Sequence, residues 1–495
     1  MGKGAIPKFS LGPFDSARFA ALAEGLEVSV VRLSEVAERN PVLRFDSTYF
    51  LRDDLEALDE LRARDHAQVG ELAYVTDGIH TSIPFEEGSG IKVFSARHPK
   101  EGYFDETFFE EIAPEAHAAN PRTALREGDV LISTVGTIGN AAVVSASLLP
   151  ANSDRHVGII RITAGLERPI RPEFLTAALL SRFGRIQSRR ETTGNVQPNL
   201  FLDKVRSLAI PRFRDDVERV ISEVYIKAES ARTTAQNALA QAEADLLDAL
   251  GLDGWSPPEP LTYTRSAADV FAAGRFDAAY FAPKHDEVLA RLKATGQAIK
   301  IGDDPDALVA RGGQPLYVDD GVPVINSRHV RVNRVMLDHA NRRAQPGRLT
   351  IRNGDVLING TGVGTIGRAA PFLSDQPAIP DNHVTVVRVQ HVDPLFLSVF
   401  LNSPIGQLQV ERMISGSSGQ IELYPDDIRN LTIWLAPDAV QKRIRADVQG
   451  AFDAQAHSTR LLAAARRAVE IAIEESEEAA LAFIADVEAA YAATD

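Results

Sequence analysis

Short apolar runs punctuated by glycine and proline alternate, along this chain, with two much longer stretches patterned for helix. Val130-Leu131-Ile132, Val157–Ile162, Val356-Leu357-Ile358 and Val384–Val389 read as buried strands bounded by turn residues. Pro172–Arg190 and Pro394–Met413 each open on proline and carry an apolar face (Phe174, Leu175, Leu179; Phe396, Leu397, Phe400, Leu401), which predicts two helices. Short strands ending in proline follow, at Leu208–Pro211 and Leu431–Pro437. After each of these prolines the period changes. From Asp215 to Leu250 there is no Pro or Gly, and Val217, Ile221, Val224, Ala228, Ala231, Ala235, Ala238 and Ala242 advance in steps of four and three. At 1.5 Å per residue this predicts a rod of about 54 Å. Residues 438–490 repeat the design, with Gly450 inside and the acidic run Glu474-Glu475-Ser476-Glu477-Glu478 near the end. A helix with one apolar stripe needs a partner, so the two are expected to pair as an antiparallel coiled coil, holding globular units at opposite ends of a rod.

The globular parts are duplicated. Arg44-Phe45-Asp46-Ser47-Thr48-Tyr49-Phe50 returns as Arg275-Phe276-Asp277-Ala278-Ala279-Tyr280-Phe281, an offset of 231. Gly128-Asp129-Val130-Leu131-Ile132 returns as Gly354-Asp355-Val356-Leu357-Ile358, and Gly136-Thr137-Ile138-Gly139 as Gly364-Thr365-Ile366-Gly367. A period this long exceeds that of stacked repeat units, so each copy is a domain with its own core. Gly251–Pro260, with three prolines, reads as the linker between the halves. The expected fold is α+β: two tandem mixed α/β domains, 1–213 and 253–437, each followed by a long helix, 214–252 and 438–495.

Composition narrows the chemistry. The 495 residues include no cysteine, which excludes disulfides, thiolate metal sites and cysteine nucleophiles. Met1–Pro7 lacks a signal-like apolar core and no apolar run reaches membrane-span length, so a cytoplasmic location is expected. The net charge of −15 argues against a nucleic-acid partner until its distribution is seen. Residues 215–250 carry eight acids and three bases, and residues 438–495 eleven acids and six bases, whereas 69–214 balance at seventeen of each. Within 311–352, eight arginines (311, 328, 331, 334, 342, 343, 348, 352) face only Asp319, Asp320 and Asp338. A local surplus of this kind can serve as an electrostatic footprint on an acidic protein; a solvated arginine-rich surface is the plainer alternative.

The order domain, helix, domain, helix, with Arg126-Glu127-Gly128-Asp129-Val130-Leu131 matched by Arg352-Asn353-Gly354-Asp355-Val356-Leu357 and the Gly-Thr-Ile-Gly turns behind them, resembles the specificity subunit of type I DNA restriction-modification systems. The element Gln197, Leu200, Val205, Leu208, Ile210 before the first long helix, matched by Gln420, Leu423, Ile428, Leu431, Ile433, extends the resemblance over most of residues 30–490. The resemblance implies a non-catalytic subunit that reads double-stranded DNA through two target recognition domains. It further implies binding to two modification subunits, on which S-adenosylmethionine and adenine methylation reside, and recruitment of restriction subunits that translocate and cleave DNA. The residues agree on the absence of catalysis. Neither an amino-methyltransferase Asn/Asp-Pro-Pro-Tyr element nor a motor ATPase phosphate loop occurs, and Asn40-Pro41-Val42-Leu43 is only an echo of the former. No cofactor or metal is expected on this chain. A two-domain scaffold for protein or RNA is the alternative.

Candidate contact residues follow from the duplication. Gly90–His98 aligns with Gly321–His329, each an apolar strand with a basic tip, placing Arg97, His98, Asn326, Arg328, His329 and the neighbouring Arg331 where arginine, asparagine or histidine can reach base edges or phosphates. Arg97 and Arg328 recur in both copies, which equally fits a role in the fold. Residues that differ between the copies are the better readers: His80 and Thr81 in one turn, Arg311 and Gln314 in its counterpart. Thr137 and Thr365 sit in tight glycine turns where they touch DNA phosphates or cap the turn. Gly360–Gly367 has the glycines of a nucleotide loop but no following helix, so a cofactor reading is not adopted. His156 and His383, beside Asp154 and Asp381, lack the companions of a metal site and read as structural. Residues 70–125 and 300–350 diverge between copies, which predicts a bipartite, asymmetric target. Arg466, Arg467, Glu470 and Glu474 are expected on an exposed face that docks partner subunits.

Overall fold

A computed structural model of the chain describes residues 15–26, 34, 44, 46–194, 197–337, 342–416 and 421–492. Met1–Pro7, Asn40–Leu43, Phe45, Asp338 and Gln420, all invoked above, lie outside the described residues. The chain forms two compact units: residues to Ala231 together with those from Ala456 on, and Arg232–Gln455. Each takes one half of each long helix, so neither helix forms a unit of its own.

The first unit is built on a four-stranded antiparallel sheet in the order Ala73–Asp77, Val157–Ile162, Val130–Ser133, Ala141–Val143. The second repeats that order with Leu308–Arg311, Val384–Arg388, Val356–Asn359 and Ala369–Pro371. The central strands are mostly apolar because both faces are covered: Val130, Leu131 and Ile132 are fully buried, as are Val384, Val386 and Val387. Beside each sheet a smaller one joins the divergent segment to the framework, through the parallel pairs Lys92–Phe94 with Ala151–Ser153 and Val324-Ile325 with Ile379-Pro380. A third pairing closes each domain: His66–Gln68 with Ala209–Pro211, and Ala298–Lys300 with Thr432–Trp434.

The two helices predicted after the sheet strands are each broken. Pro172–Leu180 and Arg182–Glu191 meet at Ser181, and Pro394–Asn402 and Pro404–Met413 meet at Ser403. The Ser181 hydroxyl caps the second helix by accepting from Gly184 N. A Cβ on Gly184 or Gly406 would lie 2.3 or 2.4 Å from the carbonyl oxygen of Leu179 or Leu401, so only glycine passes this corner. The apolar periodicity runs through the corner unchanged, which is why it reads as one helix.

The first long helix spans Asp215–Ala249. The second ends at Glu474 and a separate helix follows, Glu477–Ala492, inside the run expected to be continuous. Ser476 Oγ accepts from Ala479 N at 3.1 Å and Glu477 and Glu478 occupy the new first turn, where carboxylates suit exposed N–H groups. The acidic cluster is thus a helix start. In the first unit Val217, Ile221, Val224 and Ala228 share a core with Leu461, Ala465, Ala468 and Ala472. In the second, Ala242 and Leu246 share one with Ile444 and Val448, and Arg443 pairs with Asp245 at 2.6 Å. No helix among the described residues is long and apolar enough to cross a membrane.

Candidate nucleic-acid interface

The motifs repeated in both copies turn out to be fastenings. Asp129, 2% exposed, takes Arg161 in a two-point ion pair, Nε at 2.8 Å and the second nitrogen at 2.6 Å, and also accepts Arg126 N. Asp355, 1% exposed, does the same with Arg388 (2.6 and 2.8 Å) and Arg352 N. The hydrogen bonds to the carboxylates hold the Arg161 and Arg388 guanidiniums above their ordinary pKa. Arg44 and Arg275 pair with Asp46 and Asp277 at 2.8 Å each and lie over Tyr49 and Tyr280. Gln187 clamps both backbone groups of Ala209, and Gln409 both of Thr432. Every one of these side chains satisfies a buried or half-buried backbone or charge, which explains their recurrence without any ligand.

Two expected contact residues belong to this framework. His98 is 2% exposed: Nδ1 accepts from Ser95 N at 2.8 Å, Nε2 lies 3.0 Å from Phe108 O, and the ring stacks on Phe109. Burial lowers its pKa. His329, 1% exposed, repeats the turn by accepting from Asn326 N at 3.1 Å. Neither imidazole reaches a surface, so both are withdrawn as base readers. Arg311 is a further correction. Its guanidinium pairs with Glu422 at 3.0 Å, donates to the carbonyls of Gly360 and Leu423, and lies over Tyr424 at 5.4 Å. Arg466, Arg467, Glu470 and Glu474 also fail as an open docking face. Arg466 pairs with Glu101 at 2.6 Å, Glu470 accepts Arg182 N at 2.7 Å, and Arg467 bridges Glu470 and Glu474. They fasten the second long helix to the first domain.

The remaining candidates are placed as follows. His80 and Thr81 are exposed at the end of the Ala73–Asp77 strand, with His80 Nε2 2.6 Å from Asp77 Oδ2. Arg97 is half-exposed, 3.9 Å from Glu110 and over the exposed ring of Phe108 at 5.3 Å. Thr137 is exposed in its turn, whereas Thr365 Oγ1 donates to the carbonyls of Thr361 and Gly362 at 3.2 Å and caps its own. Gln314, Arg328 and Arg331 are exposed; Asn326 Oδ1 accepts Arg328 N at 3.2 Å and so shapes the strand tip. Arg331 and Arg334 face each other across a two-residue hairpin with Asn333 at φ 57°. Asn333 itself is tied to the helix behind by Ser398 and Asn402, both at 2.7 Å, and so fixes the pair of arginines outward of a rigid support.

His156 and His383 make no acid–base dyad with Asp154 and Asp381. Each carboxylate accepts the backbone N–H of its histidine, at 2.8 and 2.9 Å, and burial raises both carboxyl pKa values. Among the described residues no cluster of three metal-ligating side chains occurs.

Sequence reasoning missed a cleft of about 410 Å³ in the first unit, walled by Asp77, His80, Thr134, Arg155, Asn199 and Phe201 among others. Only His80 in this set is an expected contact. The available signal was an aromatic residue at the same place in both copies, Phe201 and Tyr424, which are 54% and 49% exposed.

No protein-family model and no curated protein matches the chain. Solved structures similar to it include the specificity subunit of a type I restriction-modification system from M. genitalium, at 12% identity over 83% of this chain and 95% of that one, with a TM-score of 0.40. A chain from a study of complex assembly and conformational transition in the type I restriction-modification system is 15% identical over 83% of this chain and 98% of its own, at 0.28. The HsdS subunit from Thermoanaerobacter tengcongensis is 15% identical over 83% and 97%, at 0.27.

Proposed function

We propose that this protein is the DNA sequence-recognition subunit of a type I restriction-modification complex, reading a bipartite, asymmetric target. The observation that carries the reading is the division of labour within the duplicated domains. Recurring residues such as Asp129 and Asp355 or Gln187 and Gln409 fasten the fold, and His80, Thr81 and Gln314, which differ, sit exposed on strand ends and turns. Arg97 and Arg328 recur and are exposed, and Arg311 differs and is tied in. A single framework presenting two different surfaces suits two different half-sites. His80, Thr81, Arg97, Thr137, Gln314, Asn326, Arg328, Arg331 and Thr365 remain the proposed DNA contacts. The arginine pair of the 330–335 hairpin suits phosphates or guanine edges. The shared cores of the long-helix halves in each unit support an antiparallel pairing, and the pair is proposed to set the gap between half-sites.

Methylation and cleavage would come from partners: two modification subunits carrying S-adenosylmethionine, and restriction subunits. A cytoplasmic location goes with that role. The test is selection from random duplexes followed by footprinting, with and without an adenine methyltransferase subunit. Two protected patches of different sequence at a fixed gap support the reading. A scaffold for protein or RNA would enrich no sequence and leave no such footprint.

A further inference from the structure

The duplication allows one place in the fold to be compared in two states of filling. Asp77-Gly78 aligns with Arg311-Gly312: a Cβ on Gly78 would lie 2.1 and 2.3 Å from the carbonyls of Ser153 and Asp154, and one on Gly312 2.4 and 2.1 Å from those of the matching Pro380 and Asp381, so the two turns pass the same strand closely. Thr134 N and Gly360 N donate to the carbonyls of His156 and His383, and Leu200 N and Leu423 N to those of Thr134 and Gly360. By this register Asn199 corresponds to Glu422 and Phe201 to Tyr424. In the second domain the space is filled from within: the planar guanidinium of Arg311 lies over Tyr424, pairs with Glu422 and donates to Leu423 O. In the first domain Asp77 replaces the arginine and turns instead to His80 and Arg122 (2.6 and 3.6 Å), leaving the cleft open.

The open cleft keeps the backbone carbonyl and the aromatic face that hold the guanidinium, with the Asn199 carboxamide in place of the Glu422 carboxylate. Among the described residues nothing donates to Leu200 O, the carboxamides of Gln197 and Asn199 make no hydrogen bond, and Arg155 makes no ion pair. Phe201 offers a half-exposed aromatic face. A planar group with N–H donors on one edge meets this set, and an anionic group attached to it would meet Arg155. We infer that the cleft of the first domain binds one unstacked nucleotide with an exocyclic amine on its base, the base over Phe201 and its donor edge toward Leu200 O and Asn199. Arg311 plays the same part for the second domain, which therefore takes no base at that place. Stacking and edge hydrogen bonds are the recurrent means of holding such a base.

This deepens the DNA-reading proposal and rests on it. The test is saturation-transfer NMR on the full chain with each of the four deoxynucleoside monophosphates. Transfer to base protons of the adenine, cytosine or guanine nucleotides is expected, with at least a fivefold loss in Phe201→Ser with Asn199→Ala and no change in Tyr424→Ser. Equal transfer from the thymine nucleotide, no transfer at all, or a signal untouched by the double substitution would overturn the inference. Footprinting of the same variants separates the two proposals. A bipartite footprint without nucleotide transfer removes only the pocket, whereas loss of sequence selection in the unsubstituted chain removes the DNA-reading role.

Discussion

At the residue scale the decisive property is what a polar side chain already satisfies inside its own domain. The Asp129–Arg161 and Asp355–Arg388 pairs show the cost of that role most directly. Removing one partner of a buried pair strands the other, so Asp129→Asn is expected to destabilise the first unit by about 3 kcal/mol, read as a lower urea midpoint. A change below about 1 kcal/mol would contradict the fastening role. Glu229, on the first long helix, gives a pH prediction. Burial, with the like charge of Glu173 second, pushes its carboxyl up to about 8 from the ordinary 4.5. Between those values the folded chain holds a proton that the unfolded chain has released, so stability falls as pH rises through this window and levels off above it. Thermal melts from pH 5 to 9 should show this slope flattened in Glu229→Gln, with the variant's advantage greatest at the alkaline end; parallel profiles would contradict it. Residue types and duplication made the candidate contacts legible, but burial was not. His98 and Arg97 are neighbours in sequence, yet Phe94 and Phe109 enclose one and leave the other in water.

At the element scale, strand positions and the first long helix were legible because their apolar spacing is regular and their ends carry proline or glycine. The Ser181 and Ser403 corners and the break at Glu475-Ser476 were not, since each keeps the apolar period and changes only the direction of the chain. The attachment of the first domain to the long helices was hidden for another reason: it depends on partners far apart in sequence. Tyr225, 1% exposed, donates to Gly102 O at 2.7 Å and joins the helix to the 99–104 turn. Tyr225→Phe should cost about 1–2 kcal/mol by leaving that carbonyl without its donor. Chemical denaturation measures this, and an unchanged midpoint would mean that water replaces the hydroxyl. Helix length carries the other prediction at this scale. Inserting seven residues after Arg232 and a matching seven before Gln455 adds about 10 Å to each helix, or about three base-pair steps at 3.4 Å. The selected target should then widen its gap by that number, and an unchanged gap would remove the spacer role.

At the scale of the whole molecule, one framework occurs twice with unlike surfaces. The acidic balance of the chain as a whole hides this, because the charge is concentrated in the long helices while Arg328, Arg331 and Arg334 gather around one strand tip and hairpin. The central claim is that the two domains select different sequences within one target. Single-molecule methylation sequencing of DNA from cells co-expressing this chain with an adenine methyltransferase subunit measures it directly. The account predicts methylated adenines in one bipartite motif whose halves differ and whose gap is constant, and exchange of residues 300–350 for a foreign segment should alter one half alone. Methylation without a motif, or in a single uninterrupted one, would contradict it.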